Sequence, residues 1–174
     1  MSLDGLSFIN LELTSFCNKG CYICARRTAP ASTEYGNMDF KLVEWIAKQL
    51  PPDIVVQFHA NGEPLLYPEF SKALELFPNQ IKCLTTNGKL LVEKANDIID
   101  YLDTLSISVF EKDLEAEEQL DIIKRFLDIK GFKKPFTNLK LIGNVLESIY
   151  WNLGVPMIHR QIHKENSSWC YSAK

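Results

Sequence analysis

Cys17, Cys21 and Cys24 fall in one short segment, CNKGCYIC. With Cys83 and Cys170 the chain has five cysteines, an odd number and a poor disulfide framework. Thiols clustered in this way in a reducing compartment read as metal binding or catalysis. Two metal chemistries fit. Three thiolates can hold three irons of a [4Fe–4S] cluster and leave the fourth iron open to a ligand, whereas four would fill it. Structural zinc wants four ligands in a tetrahedron, so His59, Cys83, Cys170 or another distant group would have to complete it, without spacing to support that.

The elements that must position this loop alternate regularly. Phe8 to Thr14 is strand-like and runs straight into the cysteines. Asp39 to Leu50 has apolar residues at helical spacing and is closed by Pro51-Pro52. Strands follow at Ile54–Ala60, Ile81–Thr86, Thr104–Phe110, Leu139–Val145 and Val155–Ile162. Helical patterns cover Glu69–Phe77, Leu91–Tyr101 and Leu114–Lys130, with a short helical turn over Leu146–Leu153. Strands alternating with helices are the pattern of βαβ units in a parallel sheet.

Side chains alternate faces along a strand, and here one face is apolar and the other polar. Ile9, Leu11 and Leu13 oppose Asn10, Glu12 and Thr14, and Leu105, Ile107 and Val109 oppose Ser106 and Ser108. In the last strand Ile158 and Ile162 oppose His159, Gln161 and His163, with Arg160 interrupting the apolar face. A parallel sheet covered by helices on both sides would be apolar throughout. The pattern therefore predicts an α/β fold with helices on one side only: a partial (β/α)6 TIM-like barrel of parallel strands, open on one side, with a wet inner face. A flat doubly wound sheet is the alternative.

The 174 residues are read as a single domain, with residues 1–7 as a leader and 164–174 as a tail. The net charge of −3 gives no general pull toward nucleic acid. No apolar run is long enough to span a bilayer and no signal peptide is visible, so the expected location is cytoplasmic.

Individually, the remaining motifs are ordinary: Gly62-Glu63-Pro64 is a loop after a strand, Asn87-Gly88 a turn, Ser106 and Ser108 filler on a polar face. Taken in series they resemble the radical SAM superfamily. LELTSFCNKGCYIC resembles its strand running into C-x3-C-x2-C, NGEPLLYPEF its Gly-Glu-Pro motif after the second strand, CLTTNG the end of its third strand and LSISVF its fourth.

The resemblance implies that Cys17, Cys21 and Cys24 ligate a [4Fe–4S] cluster whose open iron chelates S-adenosylmethionine. It implies that Asn61, Gly62, Glu63 and Pro64 support the amino group, with Glu63 as acceptor. Thr86 and Asn87 close the third strand beside the cofactor, and Ser108, with Ser106, reaches its carboxylate or ribose. Asn144 is a further candidate for ribose or adenine, and Tyr22 and Ile23 pack beside adenine or shield the cluster.

Departures are Ile23 where the superfamily has an aromatic residue, Asn61 in place of the first glycine of Gly-Gly-Glu-Pro, and only Gly143 of the fifth-strand glycine pattern. The resemblance is to the branch that often carries a C-terminal auxiliary-cluster domain, which this chain is expected to lack.

The implied activity is reductive cleavage of S-adenosylmethionine to a 5′-deoxyadenosyl radical that abstracts hydrogen from a peptide, protein or small-molecule substrate. A flavodoxin or ferredoxin would be the electron donor. Two alternatives stay open: an activating protein for a glycyl-radical enzyme, and a metal- or cluster-bearing binding module that has lost catalysis.

Overall fold

The computed structural model describes residue 3, residues 5–30 and residues 32–162. Six strands lie side by side, all parallel, in one sheet whose order is the chain order. They are β1 (Phe8–Leu11), β2 (Val55–Phe58), β3 (Ile81–Thr86), β4 (Thr104–Phe110), β5 (Phe136–Ile142) and β6 (Met157–Arg160). Helices α1 (Phe40–Gln49), α2 (Phe70–Glu75), α3 (Ala95–Ile98) and α4 (Ala116–Lys130) connect the first five strands, and successive helices touch. A doubly wound sheet reverses its strand order at a switch point. This one never does, so each right-handed crossover advances the sheet the same way and the strands wrap into an arc. The expected partial (β/α)6 TIM-like barrel, open on one side, is borne out.

The core lies between strands and helices. Val56, Phe58, Leu105, Ile107, Val109, Leu139 and Leu141 are fully buried, as are Val43, Phe70, Phe77, Ile123 and Phe126 from the helical layer. Phe58 meets Phe70 and Phe77 edge to face, with centroids 5.9 and 5.6 Å apart, an arrangement that suits the ring quadrupoles. Asp39 caps α1 by accepting the Lys41 N–H at 2.8 Å.

Several boundaries differ from expectation for local reasons. β1 ends at Leu11 because the chain beyond it pairs with the returning loop: Met38 N–H donates to Leu13 O, Ser15 N–H to Gly36 O, and Thr14 bridges Asn37. β5 begins at Phe136, three residues before Leu139, because the full length of β4 is available to it from Thr104↔Phe136 onward. It ends before Gly143, whose φ of +83° favours glycine. The helix expected over 91–101 shrinks to α3, where Asn96, Asp97 and the left-handed Asp100 are weak helix formers. The turn expected over 146–153 is two 3-10 turns, Glu147–Ile149 and Trp151–Leu153.

The faces of β6 are also the reverse of the expectation. Its register sets Met157 and His159 beside Leu139 and Leu141, on the helix side, and sets Ile158 and Arg160 beside Lys140 and Ile142 on the inner side. His163, Cys170 and the expected tail lie outside the described residues. Among the described residues no helix is long and apolar enough to cross a membrane.

Candidate functional site

The cysteine segment leaves β1 and is held by the loops after β2, β3 and β4. Gly62 sits so close beneath it that a Cβ would lie 2.0 Å from the Thr14 carbonyl oxygen, and Glu63 N–H donates to Phe16 O at 2.7 Å. No other residue type tolerates that backbone approach.

Glu63 is only 2% exposed. Its carboxylate accepts from the Thr86 hydroxyl at 2.7 Å, Asn87 N–H at 2.8 Å and Leu65 N–H at 3.2 Å. Burial pushes its pKa up, and those donors and the nearby Lys19 charge pull it back only in part. The residue expected to accept from a ligand thus also takes three protein donors. It fastens the β2 loop to the β3 loop. Pro64, also buried, opens the short turn that follows.

Asn87 continues the connection to the cysteines. Its side-chain amide donates to Asn18 Oδ1 at 2.8 Å and lies 3.8 Å from Cys17 Sγ, while its carbonyl accepts from Gln119 Nε2 at 2.6 Å. Charge finishes the work. Lys19, between Cys17 and Cys21, meets Asp113 at 2.5 Å, with side chains 4% and 8% exposed. Lys89 pairs with Glu115 at 2.6 Å and reaches Asn18 O at 3.4 Å. Lys19 Nζ and Asp113 Oδ2 make no aligned hydrogen bond, so the pair is held by charge.

Tyr22 spans the mouth of the arc. Its hydroxyl donates to Glu111 Oε1 at 2.6 Å, and Glu111 Oε2 accepts the Asn144 N–H. Burial, then the hydrogen bond to Glu111, push the Tyr22 phenol up to about 12. Asn144 stands exposed just after β5 rather than on it, and Ile23 is 41% exposed. Ser108, buried, and Ser106, half-buried, line the inner wall on β4, level with Lys140 and Asn138. Asn61 lines a cavity of about 370 Å³ beside the cysteine loop, with Glu12, Ser15, Arg26 and Tyr35. The Arg26 guanidinium stacks over the Tyr35 ring at 4.3 Å.

Cys17, Cys21 and Cys24 are half-buried free thiols. Cys21 is pushed up to about 11 by burial, with Lys19 opposing and the Cys17 and Cys24 sulfurs adding to it. The sulfurs therefore feel one another, and a metal would discharge that repulsion. Among the described residues no three His, Cys, Asp or Glu side chains converge in metal-holding geometry, so the fit rests on the donor set and its shared loop. Cys83 is half-buried on the inner side of β3 opposite Gln57.

The structure thus brings together the loops bearing Cys17, Gly62, Glu63, Thr86 and Asn87, and separately Tyr22 and Asn144. Asn18, Lys19, Lys89, Glu111, Asp113, Glu115 and Gln119 were not foreseen. The one available signal was the run of charge at Glu111–Glu118, directly after a strand end.

No family model matches the chain. Over 139 residues it is 27% identical to the FeMo cofactor biosynthesis protein NifB of Methanocaldococcus infernus, covering 72% of this chain and 44% of the relative. Over 128 residues it is 28% identical to the GTP 3′,8-cyclase of Chlorobaculum tepidum, covering 70% and 38%. It thus spans less than half the length of these relatives. In three dimensions it is similar to BtrN, solved in complex with AdoMet and 2-DOIA, with a TM-score of 0.53 at 17% identity over 90% of this chain and 56% of BtrN.

Proposed function

The chain belongs to the radical SAM superfamily, as do NifB, the GTP 3′,8-cyclase and BtrN, and we propose that its three-cysteine loop holds a [4Fe–4S] cluster that reductively cleaves S-adenosylmethionine. Held by Cys17, Cys21 and Cys24, such a cluster would supply the one-electron reduction of the sulfonium, the chemistry that splits S-adenosylmethionine into methionine and a 5′-deoxyadenosyl radical able to take hydrogen from a substrate. The observation carrying this reading is the loop's construction. Three free thiols sit on a segment clamped by buried groups from three other strand ends, at the face of a β/α arc where chemistry is placed.

The chain's own residues would divide the work as follows. Cys17, Cys21 and Cys24 bind as thiolates. Asn87 donates toward Cys17 Sγ, the kind of contact that tunes a ligating sulfur. Glu63 and Gly62 fix the β2 loop against the cysteine segment. The backbone of Asn61–Glu63 and the remaining lone pair of the Glu63 carboxylate are then the surface offered to the cofactor's amino group. Ser106 and Ser108 present hydroxyls from the inner wall, Asn144 lies at the rim beside Tyr22, and Ile23 limits access of water to the sulfurs.

The electron would come from a flavodoxin- or ferredoxin-type donor, and the wide opening suits a peptide, a protein or another large substrate. Anaerobic purification with iron and sulfide analysis tests the reading: a brown protein with about four irons supports it, and a colourless protein with one zinc favours a binding module.

A further inference from the structure

We propose that the inner wall formed by β5 and β6 binds an anionic group of the substrate, a carboxylate or a phosphate, through Lys140 and Arg160. This rests on the reading above and narrows its substrate class. Lys140 lies level with Ser108 on β4 and Ile158 on β6, and Arg160 stands two residues beyond Ile158 on the same face. The two cations are therefore diagonal neighbours inside the arc. Both charges also bear on His59, half-buried just after β2. Burial lowers the His59 pKa first, then the charges of Lys140 and Arg160; burial and then Arg160 lower that of Lys140.

The lysines of the cysteine clamp, by contrast, are matched: Lys19 meets Asp113 and Lys89 meets Glu115. Among the described residues Lys140 and Arg160 meet no carboxylate. A half-buried ammonium beside a guanidinium raises the free energy of the ligand-free protein, and an arriving anion relieves it through charge-assisted hydrogen bonds. A second observation lies on the same wall. Asn138, two residues before Lys140, is 9% exposed, and its Oδ1 has no partner. Buried amide oxygens rarely stay unsatisfied, and this one can accept from a hydroxyl or amine next to the anion. The site lies on the last two strands, at the open edge of the sheet.

The test is calorimetric titration of the anaerobically reconstituted chain with inorganic phosphate and with malonate, with and without S-adenosylmethionine. Wild type should bind at least one of the two anions, and Lys140→Gln and Arg160→Gln should each weaken that binding roughly tenfold. Affinity for S-adenosylmethionine should change less than about twofold. Circular dichroism verifies folding, and Lys140→Arg, which keeps the charge, should restore anion binding. Wild type binding neither anion, or the Gln variants binding as well as wild type, would overturn the proposal. Loss of S-adenosylmethionine affinity in the Gln variants would also overturn it, by assigning the pair to the cofactor's carboxylate. A wild-type chain that ignores S-adenosylmethionine would count against the radical SAM reading instead, and the titrations without it still decide the anion site.

Discussion

The hydroxyl of Tyr22 donates to Glu111 at 2.6 Å, and the second oxygen of that carboxylate accepts the Asn144 N–H, so one side chain joins the cysteine loop to the end of β5. Gly143, at φ +83°, lets the chain turn under Glu111: a Cβ there would lie 2.5 Å from the Glu111 side chain. Tyr22→Phe removes only the hydroxyl. It should cost about 1 kcal/mol in urea unfolding and leave iron content unchanged. Glu111→Ala frees Tyr22 and the Asn144 amide together, and should cost more than Tyr22→Phe and loosen the loop, read as faster amide exchange at residues 21–24.

The Lys19–Asp113 pair is the most deeply buried charge pairing at the site, at 2.5 Å with side chains 4% and 8% exposed. Asp113→Asn leaves Lys19 charged and unmatched, so a destabilisation of about 3 kcal/mol or more is expected. Replacing both residues, Lys19→Met with Asp113→Leu, should recover most of it. Denaturant midpoints of the two singles and the double check this, and additive losses would count against coupling.

Gly62→Ala forces a methyl group into the Thr14 carbonyl. Backbone must shift, and the cost should reach about 3 kcal/mol. Because the strain falls on the segment entering Cys17, iron incorporation should fall as well. Gly20→Ala is the control, since a Cβ there meets nothing within 4 Å.

Asp103 sets the expected acid response at the opposite end of the sheet. Partial burial pushes its carboxyl up, but the Lys134 ammonium at 2.8 Å and the Lys82 N–H at 2.9 Å hold it below its ordinary value of 3.8. A depressed carboxyl contributes stability that is present above the unfolded value and is lost as pH falls through the folded one. The stability difference between wild type and Asp103→Asn should be constant from neutral pH down to about 5 and shrink below about 4. Urea midpoints against pH give the readout; a difference that grows with acid would reverse the sign.

Much of the fold was legible because its signals are local. Alternation in Leu105, Ile107 and Val109 against Ser106 and Ser108 fixes which side of β4 faces the helices, and Ile81–Thr86 and Thr104–Phe110 are bounded as expected. β6 misled because it is a short strand at the sheet edge, with most of its residues exposed and an arginine on the side read as apolar. Register with β5 decides its faces, and register is not local.

At the site, the cysteines and their following motifs were visible as spacing. The clamp was not: Lys19 and Asp113 lie far apart in sequence, and neither carries a motif. Glu63 was expected to receive a ligand. Only the fold reveals that Thr86, Asn87 and Leu65 also donate to its carboxylate and that it fastens two loops together.

The most direct measurement is 5′-deoxyadenosine production from S-adenosylmethionine by the anaerobically reconstituted chain under dithionite, with Cys21→Ala beside it. The account predicts dithionite-dependent product from wild type, and neither product nor brown colour from Cys21→Ala. A folded, iron-loaded wild type that makes no 5′-deoxyadenosine, or a Cys21→Ala protein that still makes it, would contradict the account.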